Sequence, residues 1–522
     1  MSMHVSHLSV VGEQRGIREA AVRRSGPWDV AVNCHRRLRG PYSGLGEVLR
    51  VLVPEAYRRL PEVVADKRVA ILCVAPDLAA AIGSAPMTLT QQARDQERTR
   101  WYSPLRTRRI SNDILQLLIA LAQASPAGTL SLFFDTVHEA DHTDREFLAI
   151  ALRRLDPRIV RLAVGHAAGC VFGDLATQLE TRTEAVICDA PPETADDETG
   201  APTADELALR ARAFVDGDGV GDEPAELAAY QELDPELRAR YHDRRAAELE
   251  AAGAFGPTLG ALPYHRRNGA ERAEKAWPAV MRAEQYCMDV GLYHAALELQ
   301  DAMAALLEEL PVEDPDEAEY YIAIHRGQVL GVLDRQDEAH AAYIRALGHA
   351  THPEQVMILH YNLGMLYTRH NRPENKDHLL AKAHLNTSVA IASRLDDPAD
   401  QAFYTVFMGN GLALADVHLG DLAGALRLVD EGLGRLDCEL EQSKHLLHRS
   451  VLRHNRAQVL SALGHADKAM ADLDALVEID PYHQEYHFDR GNARRMAGDL
   501  EGALADYDRA LALGVPFPEL FH

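Results

Sequence analysis

The chain lacks the spacings and runs that mark several protein classes. Its six cysteines, Cys34, Cys73, Cys170, Cys188, Cys287 and Cys438, form no CxxC pair, which argues against zinc-ribbon and redox frameworks and fits thiols held in a reducing compartment. No run approaches the ~18 apolar residues of a membrane helix, and residues 1–30 hold no apolar signal core. The expectation is a cytoplasmic protein without membrane contact. Positive charge is short as well: 54 Lys and Arg against 79 Asp and Glu leave a net charge of −25. Phosphate backbones are gripped mainly by Lys and Arg, so no direct nucleic-acid partner is expected. The basic islands HRRLRG (35–40) and RTRRIS (106–111) read as solvated faces. No GxSxG is present and no Cys/His pair stands out, which leaves nucleophilic catalysis without support.

What is present fills more than one domain, because single cores stop growing near ~250–300 residues and this chain has 522. In residues 1–188, short apolar runs at 28–34, 68–75, 129–135 and 159–166 alternate with helical stretches such as DILQLLIALAQA. That alternation predicts an α/β domain with a mainly parallel sheet. Residues 189–226 are acidic and rich in Pro and Gly, which predicts a linker interrupted by one helix, ELALRARAF. Residues 227–275, with LDPELRARYHDRRAAELEAAG, read as a helical linker.

From 276 to 522 a period appears. Ala457, Ala469, Leu473 and Leu476 recur 34 positions later as Gly491, Ala503, Tyr507 and Ala510. Small residues let helix backbones approach and bulky ones fill the groove, so the pattern predicts paired antiparallel helices. It resembles the tetratricopeptide repeat. Looser copies carry Gly327, Ala339, Tyr343 and Ala346; Gly364 and Tyr367, with a second helix delayed by an insertion near RPENKD; Ala413, Gly420, Ala425 and Val429; and Ala283, Tyr286, Ala295 and Leu299. About six units make an all-α solenoid. The resemblance implies that an extended peptide or protein segment lies along the concave side, lined by the first helix of each pair. There Asn362, Asn410, Asn455 and Asn492 offer both donor and acceptor to a peptide backbone, with Tyr321, His325, Tyr361 and His454 nearby.

The N-terminal pattern is similar to the P-loop nucleoside triphosphatases of the signal-transduction (STAND) group. The glycine turn of that family, GxxGxGK[ST], corresponds to Pro41-Tyr42-Ser43-Gly44-Leu45-Gly46-Glu47-Val48. Glu47 stands in place of the lysine and Val48 in place of the hydroxyl. A carboxylate near a phosphate at an effective dielectric of about 20 and a separation of about 4 Å costs about 4 kcal/mol. The acidic strand of the family corresponds to FFDTVHEAD, with Asp135 kept and Thr136 replacing the second carboxylate; His166 takes the place of a sensor arginine. The resemblance implies a degenerate nucleotide domain that has lost hydrolysis and serves as a second docking surface.

One metal motif competes. His138-Glu139-Ala140-Asp141-His142 spells HExxH, which on a helix would place two zinc ligands on one face with Glu139 as general base. The bland alternative is a loop capping the helix TDREFLAIALRRL, with Asp141 or Thr143 as N-cap. The sequence thus predicts a non-enzymatic adaptor that needs no cofactor and binds a peptide or protein; no oligomeric state is implied. The alternatives are an active STAND-type ATP-dependent switch and a zinc metallopeptidase using His138, Glu139 and His142.

Overall fold

The computed structural model describes residues 5–93, 102–170, 173–188, 203–311, 313–370 and 373–513. They belong to two compact units, residues 1–85 with 105–310, and residues 86–104 with 311–522.

The first unit is built on five strands, β1 (His7–Val11), β2 (Val30–Asn33), β3 (Leu130–Asp135), β4 (Val160–His166) and β5 (Thr183–Ile187). Every pairing is parallel and the order is β2-β3-β4-β1-β5. Parallel neighbours need crossovers, and helices supply them: α1 (Arg15–Arg24) after β1, α2 (Ser43–Arg59), α3 (Arg68–Val74) and α4 (Arg106–Ala124) after β2, α5 (His142–Arg154) after β3 and α6 (Asp174–Arg182) after β4. Leu132, Phe133 and Phe134 on β3 are all buried, as expected of a strand covered on both faces.

Three of the four expected strands are present. The fourth, RVAILCVA, is helix α3, in which Ala70, Ile71 and Val74 are buried together. A short, wholly apolar run has no period to separate the two structures. Two strands were not anticipated from sequence. β1 lies at the heart of the sheet, pairing Leu8 with Ala163 of β4 and Val10 with Val186 of β5.

Residues 189–202 of the expected linker lie outside the described residues. The helix in its second half is α7 (Ala204–Asp216), opened by a Thr203/Glu206 capping box. The helical stretch beyond contains α8 (Pro235–Ala252), capped by Asp234, and α9 (Ala261–Asn268).

Six helical hairpins follow: α10 (Arg272–Val290) with α11 (Tyr293–Glu309), α12 (Pro315–Val332) with α13 (Gln336–His349), α14 (Pro353–Met365) with α15 (His378–Ala392), α16 (Pro398–His418) with α17 (Leu422–Glu439), α18 (Leu446–Ala462) with α19 (Ala466–Ile479), and α20 (Gln484–Ala497) with α21 (Leu500–Leu513). The first hairpin belongs to the first unit and the other five to the second. The small residues do the packing the spacing required. A Cβ added at Gly491 would sit 2.7 Å from the Tyr507 ring, and Gly327 faces Tyr343 in the same way. Gly364 faces Leu385 instead, because a π-turn at Leu366–His370 and a 3-10 turn at Pro373–Asn375 delay the second helix. Arginines stitch the hairpins together. Arg456 binds Asp472 of its own hairpin at 2.6 Å and Asp430 of the preceding one at 3.1 Å; Arg490 repeats this with Asp506 and Asp474.

Candidate functional site

The asparagines proposed as a ladder divide into distinct environments. Asn410 on α16 and Asn455 on α18, first helices of adjacent hairpins, are joined: Asn455 Nδ2 donates to Asn410 Oδ1 at 2.7 Å. The outer ends of this pair, Asn410 Nδ2 and Asn455 Oδ1, make no further hydrogen bond among the described residues. On α14, Asn362 holds a buried Nδ2 with no acceptor among the described residues. Such an orphan donor costs about 1–3 kcal/mol while it stays unpaired. Asn492 is different: its Oδ1 accepts from Tyr507 OH of its own hairpin at 2.8 Å.

The neighbouring aromatics also separate. Tyr361 lies in the core beside Phe407 and Gly411, where burial pushes its phenol up to about 12. It packs between the first helices and is partly buried. Tyr321 and His325 lie side by side on α12, ring centroids 4.1 Å apart and tilted by 55°. His454 is bound to Asp489 of the next first helix at 2.5 Å. Asn410, Asn455 and His454 therefore form one polar seam across α16, α18 and α20, with Asn362 in the hairpin before it.

In the first unit the residues expected to mark a nucleotide turn are elsewhere. Gly44, Gly46, Glu47 and Val48 occupy the first turns of α2, with Gly44 and Val48 buried. This is a correction: the stretch is helix, and it does not form a turn between strand and helix. The amides of Gly44 and Leu45 donate to Asp144 at 2.7 and 2.9 Å, so a carboxylate of the chain already caps this helix. Gly44 is small because an added Cβ would press on Cys34 Sγ. Glu47 pairs with Arg39 at 3.2 Å. Burial, and then the neighbouring Asp141 charge, raise the Asp144 carboxyl above the usual range.

A strand-to-helix turn does occur at Gly12–Gln14, between β1 and α1. Arg18 of α1 is wholly buried. Its guanidinium donates to Asp135 Oδ1 at 2.6 Å, to Gly12 O at 2.7 Å, to Glu13 O at 3.2 Å and to Thr136 Oγ1 at 3.4 Å. Asp135 and Thr136 thus meet at the end of β3 as expected, Thr136 in the left-handed region at φ 58°, but their partner is Arg18. The apolar HLSVV followed by Gly12 and Gly16 was the sequence signal for this turn. His166 binds Ser9 Oγ at 2.9 Å, within the sheet end.

HExxH does not form a metal face. His138 and Glu139 lie in a 3-10 turn, Ala140 is extended, and His142 opens α5. The two imidazoles therefore do not share a helix. His138 Nδ1 accepts from Ala167 N–H, while the His142 ring lies against His294, tilted by 33°. No group of three metal-ligating side chains occurs among the described residues. Asp141 is the N-cap of α5, accepting from the amides of Thr143 and Asp144.

The basic islands are engaged internally: Arg36 with Glu139 and Glu298, Arg37 against Tyr264, and Arg108 with Glu146. No helix of the described residues is long and apolar enough to cross a membrane.

Comparison with known proteins points to the repeats. No protein-family profile matches the chain. The chain is 32% identical over 117 residues to tetratricopeptide repeat protein 36 of Bos taurus, covering 22% of this chain and 58% of that protein. The Drosophila melanogaster homologue is 32% identical over 110 residues, 20% of this chain and 54% of that protein. The chain spans about half the length of the curated relatives it matches. Over the matched stretch the chain is similar to tetratricopeptide repeat proteins. Among solved structures, a tetratricopeptide repeat protein from Parabacteroides merdae is 14% identical with a TM-score of 0.37, covering 52% of this chain and 92% of that one. The quorum sensor NprR from B. thuringiensis is 14% identical with a TM-score of 0.34, covering 59% and 74%.

Proposed function

We propose that this chain is a non-enzymatic adaptor whose repeats hold an extended peptide or protein segment against the first helices α14, α16 and α18. The observation that carries this reading is the half-open amide pair. Asn410 and Asn455 satisfy each other once and leave the Asn410 amino group and the Asn455 carbonyl unused, groups that can pair with the C=O and N–H of a peptide unit. The orphan Nδ2 of Asn362 adds a donor one hairpin away. Amides of this kind pair with main chain and leave side-chain choice to their surroundings.

The first unit is, in this proposal, a nucleotide-type domain without phosphate chemistry. Aligning Gly12–Glu19 with GxxxxGK[ST] puts Ile17 at the second glycine, Arg18 at the lysine and Glu19 at the hydroxyl, so only the first glycine is kept. Arg18 is consumed by Asp135, and Glu19 pairs with Arg15 at 2.8 Å and Arg23 at 3.2 Å. Residues in these states do not fit a magnesium-bound triphosphate: the cation is already neutralised and a carboxylate replaces the metal-binding hydroxyl. The unit then serves as a second docking surface.

The test is a quantitative pull-down with the full chain and with Asn410→Ala/Asn455→Ala. Loss of a specific polypeptide from the double variant, at unchanged helix content, is expected. Equal recovery would remove the amide pair from the binding surface.

A further inference from the structure

Helix α15 carries an imidazole toward each of its neighbours. His384 faces α14, where its Nδ1 lies 2.9 Å from His360 Nδ1. His378, the first residue of α15, stacks on His418, the last residue of α16, with ring centroids 4.7 Å apart and planes within 4°. Tyr367 of the π-turn lies parallel to His384 at 6.0 Å and edge-on to His340 of α13 at 6.0 Å. Histidines from α13, α14, α15 and α16 thus meet around the hairpin whose second helix the π-turn delays.

Two Nδ1 atoms at 2.9 Å hold one proton between them: one ring donates its N–H and the other accepts with its lone pair. A first added proton enters at the far Nε2 of the donor ring, and the hydrogen bond becomes charge-assisted. A second has to enter at the accepting Nδ1, which ends the bond and sets two cations against each other. Burial holds both pKa values below the ordinary 6.5, and for His384 the neighbouring His360 and His340 add to the effect. In the stacked pair, His378 Nδ1 is buried with no hydrogen-bond partner among the described residues. Burial, then His378 and Lys376, lower the pKa of His418.

The carboxylates nearby are engaged or turned to solvent. Asp377 caps α15 through the Leu380 amide, Asp416 of α16 pairs with Lys382 at 2.5 Å, and Asp421 caps α17 through the Gly424 amide. Glu354 and Asp400 sit exposed in the first turns of α14 and α16. Arg369 of the π-turn and Lys376 ahead of α15 add positive charge. Extra protons on the imidazoles therefore meet no free counter-charge.

We propose that α15 is an acid-released helix: proton uptake by His360/His384 and His378/His418 parts it from α14 and α16 while the rest of the repeats stay folded. Above about pH 6.5 both pairs are neutral and α15 is held. The hold is lost as pH falls below that value, because the opened helix takes up protons that the closed one excludes.

Amide hydrogen exchange of the full chain, corrected for intrinsic rates, is compared at about pH 7.5 and about pH 5.5, on either side of the free imidazole pKa, in wild type, His384→Asn and His378→Asn/His384→Asn. Asparagine keeps a polar group near the place of Nδ1 and takes up no proton. Residues 378–392 of wild type should exchange at least about tenfold faster at the lower pH, the ratio expected when two imidazoles bind protons about tenfold more weakly in the fold than free. Helix α17, which contains no histidine, should not change. The double variant should hold α15 equally at both pH values, with His384→Asn between. Equal protection of wild-type α15 at both pH values overturns the proposal, as does an equal loss in α17, which marks global unfolding, or an undiminished loss in the double variant. Circular dichroism at the higher pH checks that each variant is folded, and wild type with His384→Asn carries the test should the double variant lose structure.

Discussion

Replacing Arg18 by Met removes the cation that the end of β3 is built around. Arg18 is fully buried and Asp135 is 1% exposed, so neither charge can recover solvation after its partner is lost. Breaking a buried ion pair from one side costs about 3–5 kcal/mol. Arg18→Met also strands the carbonyls of Gly12 and Glu13, so it should lie at or above the upper end, with Asp135→Asn lower. Removing both charges leaves no orphan, and the double variant Arg18→Met/Asp135→Asn should be less destabilised than the two singles summed, by about 2–3 kcal/mol. The assay is urea unfolding read from Trp28, whose ring lies 6.5 Å from that of Phe133 and whose Nε1 donates to Val22 O, with Trp101 and Trp277 replaced by Phe. Additive effects, or an Asp135→Asn cost below about 1 kcal/mol, would refute the claim that this pair closes the turn.

Glycine positions give a paired test. Gly491→Ala places a methyl against Tyr507 and should destabilise by about 1–3 kcal/mol, with Tyr507→Leu relieving most of it. Gly434→Ala, in α17 with open space around it, should instead stabilise by up to about 1 kcal/mol; thermal melts separate the two. His448 lies against Phe407 and Phe403, and burial, then the neighbouring His445, depress its pKa to about 3. The folded form stays neutral while the unfolded chain takes a proton below its ordinary pKa of about 6.5. Stability from this residue is therefore complete above pH 6.5 and falls by about 1.4 kcal/mol per pH unit toward pH 3. His448→Phe should flatten that slope in denaturation series between pH 7 and 4, and an unchanged slope would reject the assignment. Arg456→Leu removes the 2.6 Å partner of Asp472 and leaves it Arg453 at 3.9 Å, and should cost about 2 kcal/mol, read as earlier urea unfolding of the second unit.

The repeats were legible because their packing is local. Gly491 and Tyr507 meet within one hairpin, so a fixed spacing in sequence records a contact in space. Arg456, by contrast, joins Asp430 and Asp472 on two different second helices, a pairing that no fixed spacing records. The first unit was harder. β1 is five residues long and its pairing is set by partners more than 150 positions away, so HLSVV carried little signal by itself. Gly44 and Gly46 drew attention as a turn, yet they serve close packing of α2 on Cys34 and capping by Asp144. The real turn at Gly12 lacked the lysine and hydroxyl that would have marked it. Asp222 in turn looked like part of a solvated acidic run, since nothing in DGDGVGD announces that its carboxylate accepts from the Arg15 amide. His138 and His142 matched a spelling whose meaning depends on a continuous helix, and Asp141 starts that helix too late for both to share it.

Hydrogen exchange of the full chain, alone and with the polypeptide that Asn410→Ala/Asn455→Ala fails to capture, tests the central claim most directly. Binding should slow exchange in the first helices α14, α16 and α18, around Asn362, Asn410 and Asn455, and leave the second helices α15, α17 and α19 unchanged. Protection confined to the α/β unit, or to the second helices, would contradict recognition along the repeat seam.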